Sequence, residues 1–222
     1  MAHLSGLLLV ELALNAAAFL CGVICSSALT VTQGEFGGQC ILYGSVRYNG
    51  TLSLSTSSHV SLCYFVSAVS LLAAISSFVA LLRSVYISCF GDSERQSGDV
   101  WVKAFLVISA VVLFFLLISA CILRVGMDAL CGSIHTSAAA PSCQEAQQRP
   151  WVQPYRAARF YDNLYTAEAA AWVNFFFWCL TALLLYLESV GKFPFQPPQS
   201  SGLTWTDDET APIIGDGPRG PS

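Results

Sequence analysis

The chain has 222 residues, 55% of them hydrophobic and 11% charged, against about 25% charged in an ordinary soluble domain. That balance excludes disorder over most of the chain and argues against a water-soluble globule. The net charge is −4 and the 10 basic residues are scattered, so neither a nucleic-acid footprint nor a polybasic membrane patch is present and no nucleic-acid partner is expected.

The apolar residues fall in blocks of the length that roughly 30 Å of hydrocarbon demands of a helix. Reading for runs almost free of charge gives four spans, about 7–29, 60–82, 101–123 and 167–187. The expected class is an all-α membrane protein, a four-transmembrane-helix bundle over residues 1–190. The first run contains Glu11 and Asn15. Its Leu, Ile, Val and Phe side chains contribute roughly −0.3 to −0.6 kcal/mol each, which offsets the 2.5–3.5 kcal/mol cost of a mid-membrane acid. A cleaved signal peptide over 1–28 would need a basic start and a shorter apolar stretch. Only His3 precedes this run, so a retained span is expected.

The first long loop, about 30–59, carries Ile41-Leu42-Tyr43 and Ser45-Val46-Arg47-Tyr48, separated from Thr51-Leu52-Ser53-Leu54 by Asn49-Gly50. An Asn-Gly between two β-prone runs predicts a small hairpin. Asn49-Gly50-Thr51 is also an N-glycosylation acceptor, usable only on the lumenal or extracellular side. Cys40 and Cys63 flank this loop, and Cys131 and Cys143 lie in the second long loop, about 124–166. An even set confined to two same-side loops is what an oxidising compartment favours. Four cysteines allow three pairings; the within-loop pairs Cys40–Cys63 and Cys131–Cys143 are preferred because each closes a short segment. Basic residues divide evenly between the two sides, so orientation rests on the sequon and the cysteines: long loops outside, both termini cytosolic.

The loop 83–100 is short and mixed in charge, a turn between antiparallel helices. Within it Cys89 is a candidate palmitoylation site, a few residues past the second span. Zinc at Cys131, His135 and Cys143 would have only three ligands where thiols oxidise, so no metal is expected. Phe160, Leu164 and Ala167 are spaced at helical intervals, which starts the fourth helix outside the bilayer. From 191 to 222 the chain is rich in Pro, Gly and Ser with an acidic Asp207-Asp208-Glu209, the composition of a disordered cytoplasmic tail. There Glu209, Ile213 and Ile214 have the spacing of an acidic dileucine sorting signal, which would recruit a cytosolic coat adaptor and direct the protein to endosomal or lysosomal vesicles.

Chemistry inside the membrane is sparse. All three histidines lie outside the spans and Cys21-x-x-x-Cys25 has the wrong spacing for a redox pair, so haem, di-iron and disulfide-exchange enzymes lack their required groups. No catalytic residue and no cofactor are expected. Glu11 is the one acid read as lying well inside a span, a functional candidate by default. It is expected to pair with a snorkelling base, Arg83 or Lys103. Ala18, Gly22 and Ser26 on the first helix, with Ala73 and Ser77 on the second, predict close helix approach within one monomer.

The stretches VELALNAAAFLCG (10–22), TQGEFGGQCILYG (32–44), SLCYFV (61–66), ISACILRVG (118–126), SCQEAQ (142–147) and FYDNLY (160–165) resemble the transmembrane protein 179 family, most nearly its B member. The resemblance covers about 8–190 and implies a claudin-like four-span arrangement with no established activity or catalytic residues. The first loop lacks the Trp and close Cys pair of claudins proper. The function expected is that of a non-enzymatic membrane organiser or interaction protein of vesicle, endolysosomal or plasma membranes, contacting the lipid bilayer and other membrane proteins. The alternatives are an auxiliary subunit of a channel or transporter and an intramembrane carrier or enzyme centred on Glu11.

Overall fold

The computed structural model describes residues 2–90, 98–137 and 140–191. In chain order the elements are α1 (Ala2–Glu35), β1 (Cys40–Tyr48), β2 (Leu52–Ser58), α2 (Val60–Phe90), α3 (Gly98–Thr136), the short α4 (Cys143–Ala146) and α5 (Phe160–Gly191). The long helices α1, α2, α3 and α5 are each long and apolar enough to cross a membrane, and they pack as a bundle whose broadest seams are α1–α5, α1–α2 and α3–α5. Only 22% to 33% of each most apolar stretch is buried inside the bundle. Leu20, Leu72, Val107, Phe114, Phe176 and Leu183 point outward. In water such a surface would aggregate; around a bundle of membrane-length helices it is the lipid face.

The helices outrun the apolar stretches expected to cross. At 1.5 Å per residue, the 39 residues of α3 extend about 58 Å, nearly twice the hydrocarbon thickness. Residues 124–136, expected as loop, are therefore helix. The reason is tertiary: Leu123, Met127, Leu130 and Ile134 recur at three- and four-residue intervals and are all buried in one core with the β-hairpin. An apolar stripe with a partner sustains a helix beyond the bilayer edge. The fourth helix starts at Phe160, one to two turns before its most apolar part.

The hairpin forms about Asn49-Gly50-Thr51, with Tyr48 opposite Leu52. Between Cys40, opposite Ser58, and Ser45, opposite Thr56, β1 carries extra residues and bulges. Tyr43 sits at the bulge with φ +60°, a conformation uncommon for a bulky side chain. The bulge drives Ile41 and Leu42 into the core. Leu42 meets α3 at Gly126, where a Cβ would stand 2.9 Å from the Leu42 Cβ. Val46 N–H donates to Ser133 Oγ of α3 at 2.8 Å, which fixes the strand along the helix.

The second long loop also joins the hairpin. Leu52 N–H donates to Pro150 O and Val152 N–H donates to Leu52 O, both at 2.9 Å, so the 150–152 segment bridges the free edge of β2 at its first residue. Trp151 then packs edge-on against Phe36, with ring centres 5.3 Å apart, and against Phe160 at 5.4 Å. Tyr155 lies 5.6 Å from Phe36. Four aromatics, Phe36 just past α1, Trp151 and Tyr155 of the loop and Phe160 of α5, thus close the hairpin end of the bundle. Disulfides Cys40–Cys63 and Cys131–Cys143 join β1 to the start of α2 and α3 to α4. This body is called the head below.

Candidate functional site

Polar side chains mark three levels of the bundle: the tip and base of the head, the opposite end, and the interior between them. At the tip, Asn49 is exposed beside the turn glycine, and its N–H donates to Thr51 O at 3.2 Å. Cys131 and Cys143 are bonded to each other, which removes both sulfurs from a zinc set with His135.

At the base of the head, Arg124 of α3 donates through Nη1 to Glu168 Oε1 of α5 at 3.2 Å, and its Nε lies 3.2 Å from Asp128 Oδ2. Arg124 and Asp128 are largely exposed, whereas Glu168 is 7% exposed. A buried carboxylate is tolerated only with a bonded partner. Arg124 supplies that partner from the neighbouring antiparallel helix. Glu168 was not singled out from the sequence. The signal was present in the sequence: Arg124 closes one span and Glu168 opens the next at the same end.

At the opposite end, Glu11 of α1 accepts a bond from Ser84 Oγ of α2 at 3.5 Å. Asn15, buried one turn further, donates through Nδ2 to Glu11 O at 2.9 Å. Arg83 and Glu188 both act electrostatically on the Glu11 carboxylate, one attracting and one repelling its charge. The Arg83 guanidinium also lies over the Trp101 ring, 4.2 Å from its centre, a cation–π contact. Glu11 thus belongs to a group drawn from α1, α2 and α5, with α3 engaged through Trp101. Neither Glu188 nor Trp101 was singled out from the sequence, because their proximity to Glu11 depends on which helices are neighbours.

The interior is small and polar. Gly22 of α1 faces α2 so closely that a Cβ would stand 2.7 Å from Ser70 O and 3.0 Å from the Ala74 Cβ. This is the packing within one monomer that the small-residue spacing predicts. Ser70 Oγ donates to Cys25 Sγ at 3.3 Å across the same seam. Asn15, Ser70, Ser77, Ser109, Ser119, Asn174 and Thr181 are all buried. Cys89 lies in the last turn of α2, with its side chain outside the described residues, as are Glu209, Ile213 and Ile214 of the tail.

Four membrane-length helices, with a two-stranded hairpin between the first and second and disulfides at the same end, define a claudin-like multi-pass membrane protein. Residues 7–192 match the family model described as the Transmembrane protein 179/179B Claudin domain. The chain is 44% identical over 214 residues to human (Homo sapiens) "Transmembrane protein 179B", covering 96% of each chain. It is 43% identical over 207 residues to the mouse (Mus musculus) protein of that name, covering 93% of this chain and 94% of the relative. The zebrafish (Danio rerio) protein is 44% identical over 183 residues, covering 82% and 83%. The chain belongs to the transmembrane protein 179/179B family. That family is not a known enzyme family. No solved structure matches the chain.

Proposed function

We propose that the protein is a non-enzymatic membrane organiser whose head contacts other membrane proteins on the lumenal or extracellular side, with both termini in the cytosol. The observation that carries this reading is the construction of the head. Two disulfides, four packed aromatics and a bridge from the second loop to Leu52 hold a small surface rigid on helices that extend past the hydrocarbon, while Tyr43, Tyr48 and Val152 remain outward. A rigid amphipathic surface loses little conformational entropy on binding. The strained backbone at Tyr43 adds to this, since such residues persist where their surroundings hold them and cluster at functional positions.

Within this reading Asn49 carries a glycan, Cys89 is acylated, and Glu209, Ile213 and Ile214 engage a coat adaptor that cycles the protein through endolysosomal or secretory vesicles and the plasma membrane. Endoglycosidase treatment of wild type and Asn49→Gln tests the glycan and the side of the head together. Ile213→Ala with Ile214→Ala should raise the surface-biotinylated fraction.

Purification in mild detergent tests the central proposal. Wild type should retain specific membrane proteins that Tyr43→Ala with Tyr48→Ala loses. A pore-forming subunit among them would give the auxiliary-subunit reading. A protein that purifies alone and conducts ions in proteoliposomes until Glu11→Gln is introduced would replace organiser with carrier.

A further inference from the structure

The two disulfides of the head stand in different surroundings. Cys40 and Cys63 are 0% and 1% exposed, and the chain beside them is anchored by large buried side chains: Phe36, Ile41 and Leu42 near Cys40, and Val66 one turn after Cys63. A reagent reaches that bond only when the core opens. Cys143 is 8% exposed, and Cys131 is more open still. The neighbouring Gly132 is exposed, and a Cβ placed there would meet nothing within 4 Å beyond its own stretch of helix among the described residues. Cys131 therefore stands beside open ground, about two helical turns past the apolar run that crosses the membrane.

What depends on the second bond differs too. From Ala140 to Arg149 the buried residues are Ala140, Cys143 and Ala146, so apart from the cysteine this stretch buries only methyl groups, which contribute little hydrophobic stabilisation. Gln147 Nε2 donates to Asp162 Oδ2 at 3.2 Å on an exposed face. The disulfide to α3 is the stronger fastening. Ala146 O also accepts from Trp151 Nε1 at 3.1 Å, and the residues on either side of Trp151 bridge to Leu52 of the hairpin. Trp151 itself is clamped by Phe36 and Phe160, so loosening of 140–149 stops at that ring rather than spreading through the head.

We propose that Cys131–Cys143 is a reducible latch: a thiol reductant on the lumenal or extracellular side opens it and frees 140–149, the stretch that borders the docking face at Val152, while Cys40–Cys63 stays closed. This rests on the reading of the head as a docking surface and supplies its regulation. A thiolate of the reductant attacks Sγ of Cys131, the more open residue. The bond between the two cysteines breaks, and its electron pair leaves on Cys143 Sγ, which takes a proton from water. A second thiol of the reductant then attacks the mixed disulfide and releases Cys131, which is protonated in turn. The protein gains two electrons and two protons, and the reductant ends as a disulfide. The same thiolate meets both bonds of the head, so access decides which one reacts.

Timed exposure of the folded full chain, in mild detergent, to reduced glutathione tests the latch. Free thiols are blocked with N-ethylmaleimide, the remaining disulfides are opened and labelled with its heavy form, and peptide mapping reads each cysteine. Cys131 and Cys143 should convert about tenfold faster than Cys40 and Cys63. Hydrogen exchange of the same samples should rise in 140–149, while β1 keeps its protection. Cys131→Ser with Cys143→Ser should show the raised exchange without glutathione; should that variant fail to fold, the wild-type measurement decides alone. Bonds that open at one rate, or Cys40–Cys63 opening first, overturn the latch, and so does selective opening that leaves exchange in 140–149 unchanged. Neither readout needs a partner protein, so the latch fails or holds apart from the docking reading, which fails separately if Tyr43→Ala with Tyr48→Ala retains every partner.

Discussion

The head and the membrane half of the same bundle are held together by different means. In the head, large side chains and covalent bonds dominate: Phe36, Trp151, Tyr155 and Phe160 interlock, Leu42 seats on Gly126, and two disulfides close the loops. In the membrane half many large side chains face outward, and the interior sets Ala18, Gly22, Ala73, Ala74 and serines beside a few large ones such as Leu116 and Trp178. The surroundings explain the difference. Water rewards burial of Phe36, whereas lipid tails solvate an aromatic or a leucine about as well as the protein does, leaving close backbone approach and polar pairing as the forces between helices.

The largest expected effect exploits that contrast directly. Phe36→Ala removes a fully buried ring touching three others and should cost about 3–5 kcal/mol, seen as a lower unfolding temperature in detergent. The equal truncation Phe176→Ala, at a lipid-facing ring that is 58% exposed, should stay within about 0.5 kcal/mol. Equal losses would show that the head is not the more tightly packed half.

Cleavage of the disulfides should come next, and only the head should respond. The bonds span 23 and 12 residues, so chain entropy predicts losses of about 3.4 and 2.8 kcal/mol, with Cys40–Cys63 the larger. Cys40→Ser with Cys63→Ser, and Cys131→Ser with Cys143→Ser, measured by thermal unfolding, give the order. Non-reducing peptide mapping of wild type checks the pairing, and cross-loop linkage would refute it.

What could be read from the sequence follows the same division. The four spans were legible because lipid imposes one simple rule on every long helix, a sustained apolar run. The hairpin was legible because Asn49-Gly50 is a local signal. The within-loop bonds were preferred because each closes a short segment. Illegible were the contacts that depend on three-dimensional partners. Nothing local tells that Leu42 will bulge onto Gly126, that 150–152 will bridge to Leu52, or that α3 will continue to Thr136 because the hairpin supports it. Glu168 was half legible, as a charge at a span edge facing Arg124. Glu188 and Trp101 became neighbours of Glu11 and Arg83 only through the order in which the helices pack.

Two glycines sharpen the comparison. An alanine at either position meets atoms closer than contact distance, at 2.7 Å from Ser70 O for Gly22 and 2.9 Å from the Leu42 Cβ for Gly126. Overpacking typically costs about 1–3 kcal/mol. Gly22→Ala should lie at the upper end, because the obstacle is helix backbone and α1 must move away from α2 along the seam. Gly126→Ala should be milder, and Leu42→Ala should rescue the part due to Leu42 Cγ and Cδ2, each 3.0 Å from the added Cβ, while the contact with the Leu42 Cβ remains. No side-chain change at Ser70 should rescue Gly22→Ala. Equal rescue in both cases, measured by thermal unfolding, would contradict the distinction between side-chain packing in the head and backbone packing in the membrane half.

The smallest effect is expected at Glu11, in the group farthest from the head. Its bond from Ser84 is long at 3.5 Å, and its charge is attracted by Arg83 but repelled by Glu188. Neutralising it in Glu11→Gln removes both influences at once, while the amide oxygen still accepts from Ser84. The opposing changes offset in part, and the amide also escapes the cost of holding a charge in a partly buried place, so any loss of stability should be no more than about 1 kcal/mol, the range of a partly solvated ion pair. Removing the attractive partner alone is the informative contrast. Arg83→Gln leaves Glu11 and Glu188 facing each other without that guanidinium and removes its contact with Trp101, so it should destabilise more than Glu11→Gln. The double variant, Glu11→Gln with Arg83→Gln, should recover part of that loss, because one of the two repelling charges has gone. Thermal unfolding of the three variants gives the coupling between the sites. Simple additivity would show that Arg83 does not act on this end of the bundle through Glu11, and a large loss in Glu11→Gln by itself would show that the carboxylate has a role that the balance of Arg83 and Glu188 does not explain.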